Sequence, residues 1–328
     1  MKKIMLFLSA ALMVFFFQAL PQSSASGAGD ADRTLKVALL PILDSLPFHV
    51  AEEKGIFSRL GVGVRFMPVA SAIERDQLMQ SDRIDGMLTE LNTTAVFNRT
   101  AVRIRIVRFA RVAYPDYPLF RILAAPGSGV RTAADLRGIG IGIAKNTVVE
   151  YVTDRLLAAK GLKPEEVVKQ SVPVIPERFQ LLMQGRIKAA VLPDPLAKSA
   201  MEAGAVEVVA DSEHPQYGVS VLAFRTETLK SGGESVRLFL RGWDEAAAWI
   251  NEHPEESREV LLKRIPMPEN VRTGYRIPPF PRNGVPAKEQ WKDVTLWMQE
   301  RGLIDAAVSY EDSVTSEFIG KPAPPASK

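Results

Sequence analysis

The stretch LMQSDRIDGMLTE at residues 78–90 decides the fold, because it recurs as LMQGRIKAAVLPD at residues 182–194. Each copy predicts the end of a helix, a tight turn, an apolar strand and an acidic residue at the carboxyl end of that strand. A helix–turn–strand unit that occurs twice indicates two lobes of similar build. Ligands of open α/β sheets bind beyond the carboxyl ends of the strands, so Glu90 and Asp194 are predicted to face one shared cleft.

Apolar strands and helices alternate on both sides of these two copies. This alternation of strands and helices is typical of an α/β fold in which mixed, mostly parallel sheets have helices packed on both faces. After Glu234 the pattern is mainly helical. The predicted strands are Leu35–Leu40, Val62–Met67, Ile84–Leu88, Val102–Arg111, Phe120–Ala124, Ile139–Ile143, Ala189–Leu192, Val206–Val209 and Val219–Phe224.

The composition excludes several classes of function. The chain of 328 residues is 46% hydrophobic, which is enough for a packed core, and it contains no cysteine. Disulfides, Cys-ligated zinc, iron–sulfur clusters, thiol nucleophiles and lipoprotein acylation are therefore excluded. The three histidines are far apart and no HExxH motif occurs, which argues against a metal site. The net charge is only +3, and the basic residues form no continuous stripe that could bind phosphates. We expect no metal, no cofactor and no nucleic-acid partner.

The N-terminus has the pattern of an export signal. Lys2 and Lys3 precede an apolar run from Ile4 to Phe17, and small residues follow Pro21. This arrangement predicts a signal peptide over residues 1–26, cleaved near Ser26, and a periplasmic protein that is not a lipoprotein. The alternative is a retained membrane anchor, although the apolar run is slightly short for a membrane span. The Pro-rich residues 319–328 are predicted to form a disordered tail.

Five segments, two of which overlap the repeated stretches, carry a resemblance to a known family. They are PFHVAEEKGIF at residues 47–57, RIDG at 83–86, GVRTAADLRG at 129–138, KNT at 145–147 and GRIKAAVLPDP at 185–195. In this order and spacing the chain resembles the SsuA/TauA-like solute-binding proteins of ABC transporters, the nitrate, sulfonate, taurine and thiamine-pyrimidine group.

The resemblance implies a two-lobed type II periplasmic-binding-protein fold with a hinge between the lobes. It places lobe 1 at residues 33–112 plus 225–318 and lobe 2 at residues 116–220. The hinge would be formed by two crossings, near residues 112–118 and near residues 218–225. It further implies a monomer that delivers a small molecule to a membrane permease and, through it, to an ATPase.

The predicted cleft contains polar and aromatic side chains from both lobes. Helix N-termini and arginines suit anionic groups, and tyrosines can stack on a flat ligand. Simpler roles stay open: Ser45, Glu90, Asn92, Asn146, Thr147 and Asp194 could cap helices, the arginines could pair with local acids, and the tyrosines could be hinge packing. The candidate ligand-binding residues are Asp44, Ser45, Phe48, Glu90, Asn92, Thr93, Arg108, Arg111, Tyr114, Lys145, Asn146, Thr147, Asp194 and Tyr217.

These residues leave the ligand class open between an anion such as a sulfonate or nitrate and a pyrimidine-like or cationic heterocycle. We expect no enzymatic activity, because the glycines of GIGIG at residues 138–142 fall within a strand and no P-loop or G-x-S-x-G motif occurs. Two alternatives remain: an enzyme of the menaquinone-pathway type on this fold, and a ligand-sensing partner of a membrane receptor.

Overall fold

Two five-stranded sheets organise residues 34–320, the part of the chain that the computed structural model describes. The predicted signal peptide and residues 321–328 of the predicted tail lie outside the described residues. The strands are β1 (Leu35–Leu39), β2 (Val64–Pro68), β3 (Gly86–Thr89), β4 (Ile104–Val112), β5 (Phe120–Ala124), β6 (Gly140–Ile143), β7 (Val168–Ser171), β8 (Ala189–Pro193), β9 (Val206–Ala210) and β10 (Val219–Arg225).

The two sheets have the same plan. The first has the order β2-β1-β3-β10-β4 and the second the order β7-β6-β8-β5-β9. In each sheet the first three strands are parallel, the fourth is antiparallel, and the fifth pairs antiparallel with the fourth. The predicted mixed α/β fold with two lobes is confirmed, although antiparallel pairings are as frequent as parallel ones. We call each sheet with its helices the first and the second lobe.

Twelve α-helices surround the sheets in this described part of the chain. They are α1 (Leu46–Glu53), α2 (Ile56–Arg59), α3 (Ala72–Gln80), α4 (Leu91–Asn98), α5 (Val148–Ala159), α6 (Ile175–Met183), α7 (Leu196–Glu202), α8 (Thr226–Ser231), α9 (Gly233–Glu252), α10 (Pro254–Arg264), α11 (Lys288–Glu300) and α12 (Tyr310–Ser313). No helix within residues 34–320 is long and apolar enough to cross a membrane.

The chain passes between the sheets twice. It leaves the first sheet after β4 and returns after β9, and all of β10 pairs with β3 and β4. The second crossing therefore ends before Val219. This corrects the predicted boundary, which assigned residues 219 and 220 to the second lobe and placed the crossing within the strand itself.

Buried side chains fill both faces of each sheet. The aromatic core of the first lobe packs α1 and α9 against one face, around Phe48, Phe239 and Trp243. A smaller core packs α6 and α7 against one face of the second sheet. A third cluster includes α4 of the first lobe, α5 of the second lobe and α11, so the two lobes share one apolar core.

Candidate ligand-binding cleft

A polar cluster lies where the two lobes meet. We define it as Asp44, Arg111 and Tyr275 from the first lobe with Arg121, Asp194 and Asp211 from the second. All six side chains are buried or nearly so. The cluster follows the carboxyl ends of β1, β4 and β8, which is the edge where open α/β sheets bind ligands.

Arg111 connects the cluster to the loop after the first strand. Its Nη1 donates to Asp44 Oδ1 at 3.2 Å, and its side chain is only 2% exposed. Its Nε and Nη2 have no hydrogen-bond partner among the described residues, and neither has the nearby Ser220 hydroxyl, which lies opposite Arg111 on β10. Buried N–H groups are rarely left unpaired, so these two nitrogens are candidate donors to a ligand.

Asp194 is held by groups from both lobes. Arg121 Nη1 donates to its Oδ1, and the Tyr275 hydroxyl lies 3.3 Å from its Oδ2. Burial raises the pKa of Tyr275 well above its ordinary value, and the Asp194 carboxylate adds to this effect. Asp194 does not cap the following helix, because α7 begins at Leu196 after Pro195. The second predicted acid therefore lies at the lobe junction, with a cation beside it.

Asp211 connects the two crossings. Its Oδ1 accepts a hydrogen bond from Leu119 N at 2.9 Å, and a Cβ placed at Gly218 would lie 1.8 Å from its Oδ2. Burial raises the pKa of Asp211 to about 7, although backbone N–H groups and the nearby Arg111 and Arg121 lower it. Sequence reasoning missed Asp211, Arg121 and Tyr275, because their chain positions do not reveal that they meet.

Glu90 lies in the first lobe, apart from the polar cluster. Its carboxylate pairs with the fully buried Arg75, with Arg75 Nη2 3.3 Å from Glu90 Oε2, and the Thr93 hydroxyl lies at the same distance from that oxygen. Glu90 occupies the N-cap position of α4 without a side-chain capping bond. Asn92 was predicted as a possible cap but lies inside α4, where its Oδ1 is buried and makes no hydrogen bond within the described part of the chain.

The start of α5 contributes the predicted helix N-terminus. Thr147 is the N-cap, and its hydroxyl accepts from Val149 N at 3.1 Å. Asn146 has a left-handed backbone with φ of 61°, and its N–H donates to Glu150 Oε2 at 2.7 Å. Lys145 and Asn146 are exposed to solvent. The free N–H groups of this helix end are thus already partly satisfied by the chain itself.

Three further predicted site residues also lie outside the polar cluster. Phe48 is 1% exposed and packs against Phe57, Phe66 and Phe239 in the core of the first lobe, so it cannot stack on a ligand. Arg108 donates to Phe318 O at 2.9 Å and to Asn283, and pairs with Asp244. Ser45 donates to Ile42 O and makes no capping bond. The assignment of Phe48 as a stacking residue is therefore corrected. Arg108 and Ser45 make their hydrogen bonds within the first lobe, where Arg108 Nε has no partner among the described residues.

The predicted tyrosines divide between two places. Tyr114 and Tyr117 pair through their backbones in the first crossing. Tyr217 packs edge-on against Tyr151 at 6.0 Å between ring centres and lines a cavity of about 10 Å³. That cavity has walls from both lobes: Leu91, Asn92, Val148, Tyr151, Tyr217, Val219 and Val294. A space of this size holds about one water molecule, so the lobes lie close together.

Two lobes of matching topology, joined by two crossings with buried polar groups between them, define the fold of the periplasmic-binding proteins. The sequence profile of the NMT1/THI5-like family matches residues 43–257. The chain belongs to that family, which confirms the group of solute-binding proteins that the sequence motifs resembled.

Individual relatives are more distant. An Escherichia coli (strain K12) protein proposed to bind aliphatic sulfonates is 28% identical over 155 residues, which are 47% of this chain and 48% of that protein. The bicarbonate-binding protein CmpA of Synechococcus sp. is 22% identical over 265 residues, 70% of this chain and 57% of CmpA. The alignments thus span about half the length of the curated relatives.

Solved structures agree on the fold. The periplasmic aliphatic sulphonate binding protein SsuA from Escherichia coli has a TM-score of 0.72 at 19% identity, with 90% of this chain and 94% of SsuA covered. The desulfurization enzyme DSZB has a TM-score of 0.66 at 14% identity, with 87% and 97% covered. The same architecture therefore accommodates a binding protein and an enzyme.

Proposed function

We propose that this chain is the solute-binding protein of an ABC importer. It captures a small polar solute between its lobes and presents the closed form to a membrane permease, which an ATPase drives. The observation that carries the proposal is Arg111, a buried guanidinium at the lobe junction with two donor nitrogens, Nε and Nη2, that have no hydrogen-bond partner among the described residues. Family membership and the relatives that bind sulfonates and bicarbonate support it.

The unpaired donor nitrogens of Arg111 favour a solute with oxygen acceptors. Asp44 and Asp194 each have an arginine beside them, so these carboxylates are already compensated. Arg111 makes one bond to Asp44 and keeps two donors, and guanidinium groups bond planar oxyanions in a bidentate way. We therefore propose Arg111 as the principal ligand anchor. The paired-carboxylate hypothesis for Glu90 and Asp194 stays a prediction, and both acids have protein partners in this structure.

Binding is proposed instead of catalysis. None of the three histidines belongs to the polar cluster. His49 is in the first lobe's core, where burial and Arg264 lower its pKa to about 4, His253 stacks on Trp249, and the His214 ring packs against Tyr217. Within residues 34–320 no group of three or more His, Asp or Glu side chains could hold a metal ion. The proposal includes export to the periplasm and action as a monomer.

A thermal-shift screen tests the proposal. The probes are alkanesulfonates, nitrate, bicarbonate, pyrimidines, amino acids and polyamines, and a solute at a hundred times its Kd adds roughly 2.7 kcal/mol of stability. An oxyanion should raise the melting temperature most. If no probe of any class stabilises the folded protein, binding of these solutes is refuted, and stabilisation by polyamines alone would refute the Arg111 anchor.

A pair of arginine variants locates the site. Arg111→Gln should weaken binding of the stabilising probe roughly ten- to a hundredfold, the loss expected for charged hydrogen bonds. Arg108→Gln is the matched control, because Arg108 is equally buried on the same strand but bonds to groups of the first lobe. Equal affinity losses in both variants, measured by calorimetric titration, would contradict Arg111 as the anchor.

A further inference from the structure

Helix α11 is anchored in the first lobe. Trp291 Nε1 donates to Val308 O at 2.8 Å, and α11 packs beside α4 in the shared core. The chain after α11 returns to the first sheet, where Thr315 N donates to Ile106 O at 3.0 Å. The helix must therefore move with the first lobe when the lobes separate.

One carboxylate of α11 nevertheless binds two side chains of the second lobe. Asp293 Oδ2 accepts from the Tyr151 hydroxyl at 2.6 Å and from Arg155 Nε at 2.9 Å. Arg155 Nη2 also donates to the Asp293 backbone oxygen at 3.3 Å. Both partners belong to α5, so this contact bridges the lobes without any residue of the polar cluster.

The end of α11 makes a second bridge to the same helix. Trp297 Nε1 donates to Asp154 Oδ2 at 2.9 Å, and Arg301 pairs with that carboxylate. The Trp297 ring also packs edge-on against Tyr151, with ring centres 5.6 Å apart. Arg301 Nη1 lies 3.6 Å from Glu150 Oε1. The two bridges lie one turn apart along the face of α11.

The segment before α11 bridges the other face of the second lobe. Asn270 Nδ2 donates to Ser199 O at 3.0 Å, and the Ser199 hydroxyl donates to Asn270 Oδ1 at 2.8 Å. Ser199 lies on α7, and Tyr275 contacts Asp194 nearby. Helices α5 and α7 pack on opposite faces of the second sheet, so residues 270–301 hold this lobe from both sides.

We propose that residues 270–301 form a clasp that holds the two lobes closed through protein contacts alone. The clasp keeps the interlobe cavity near 10 Å³, so a solute can enter only when the clasp opens. A solute that binds only a minor open state has an apparent affinity that is reduced by the open fraction. The clasp therefore lowers the apparent affinity for solutes. This inference concerns lobe movement and does not require the proposed transport function.

The cysteine-free chain allows a direct test by double electron–electron resonance on the protein alone. Spin labels at Ile73→Cys and Val174→Cys report the opening, because these exposed residues lie at the starts of α3 and α6, one in each lobe. The labelled parent should give one short distance. Adding Asp293→Asn and Arg301→Gln should raise the open-to-closed ratio roughly tenfold or more and produce a second, longer distance.

Arg137→Gln is the control, since its partner Glu166 lies in the same lobe and their ion pair does not bridge the lobes. Circular dichroism identifies folded variants, and small-angle scattering gives a second reading through the radius of gyration. A single unchanged short distance in the folded double variant would overturn the clasp. A long distance already dominant in the parent, or an equal effect of Arg137→Gln, would also overturn it.

Discussion

Replacement of Asp211 by Asn should remove a pH dependence of stability that this one carboxyl imposes. Asp211 is fully buried between the crossings, and its pKa is raised from 3.8 to about 7, chiefly by burial. Below pH 4 the carboxyl is protonated in both the folded and the unfolded chain and has no effect. Between pH 4 and 7 the unfolded chain releases the proton while the folded chain keeps it, so folding becomes less favourable.

The size of the effect follows from the two pKa values. A difference of about three units corresponds to about 4 kcal/mol, lost progressively from pH 4 and complete above pH 7. Asn keeps the oxygen that accepts from Leu119 N and does not titrate, so Asp211→Asn should lack this loss. The difference in unfolding free energy between wild type and variant should shift by a little over 1 kcal/mol per pH unit across that window.

Urea unfolding at half-unit steps from pH 4 to 8 measures that difference. Asp135→Asn is the control that should give a nearly constant difference over this range, because backbone N–H groups of Arg131 and Thr132 lower the pKa of the exposed Asp135 from 3.8, below the pH values tested. Asp135 therefore stabilises the fold above its unfolded pKa and loses this contribution as the pH falls. A difference between the wild type and the Asp211→Asn variant that stays constant over the whole range would refute the assigned titration of Asp211.

Three other outcomes are expected. Gly86→Ala should destabilise the first lobe by about 1–3 kcal/mol in urea unfolding, because the new Cβ would lie 2.5 Å from the Phe224 ring; unchanged stability would show that the ring moves freely. Glu90→Gln should cost about 1–3 kcal/mol in the same assay, since the buried Arg75 loses a carboxylate partner; a neutral result would mean that Asp76 compensates. Mass spectrometry of the exported protein should find its first residue between Ser24 and Asp30, whereas an intact N-terminus in membranes would favour the anchor alternative.

The sequence allowed nine of the ten strands of the described residues and the two-lobe plan to be predicted, because these depend on local patterns. Strand β7 (Val168–Ser171) was missed, because its residues are mostly exposed and form no apolar run. The Ser71 cap also follows a local pattern: SAIE at residues 71–74 has the sequence of a capping box, and the Ser71 hydroxyl accepts from Glu74 N. The insertion of β10 into the first sheet was not predictable in the same way. An apolar strand that follows a crossing carries no signal for which of two sheets it will join, since either would bury it equally well.

The two arginines of β4 show why the site was harder to predict than the fold. Side chains three residues apart on a regular strand point to opposite faces. Arg108 nevertheless pairs with Leu222 and Arg111 with Ser220, and these two partners lie two residues apart on β10, on one face of the sheet. Between Ser220 and Val221 the register shifts, because the partners on β4 go from Arg111 to Phe109 and leave one residue of β4 unpaired. This irregularity places both arginines on one face. Which of them reaches the lobe junction depends on this irregularity, and nothing in the residue pattern marks it.

The duplicated unit extends further than the stretch that first revealed it. ERDQ at residues 74–77 matches ERFQ at 177–180, and both arginines are fully buried. Arg75 Nη1 donates to Leu88 O at 3.1 Å and Arg178 Nε to Val191 O at 2.7 Å, so each ties a helix to the equivalent strand. This match in the sequence could have identified both residues.

These equivalent arginines have different hydrogen-bond partners in the two lobes. Arg75 pairs with Asp76 and Glu90, whereas Arg178 bonds to backbone carbonyl oxygens, and burial lowers its pKa to about 10. In the second lobe the acid after the repeated strand, Asp194, pairs with Arg121 at the lobe junction. The two halves of the repeat thus use their acids differently: Glu90 neutralises a cation within its own lobe, and Asp194 takes part in the contact between lobes.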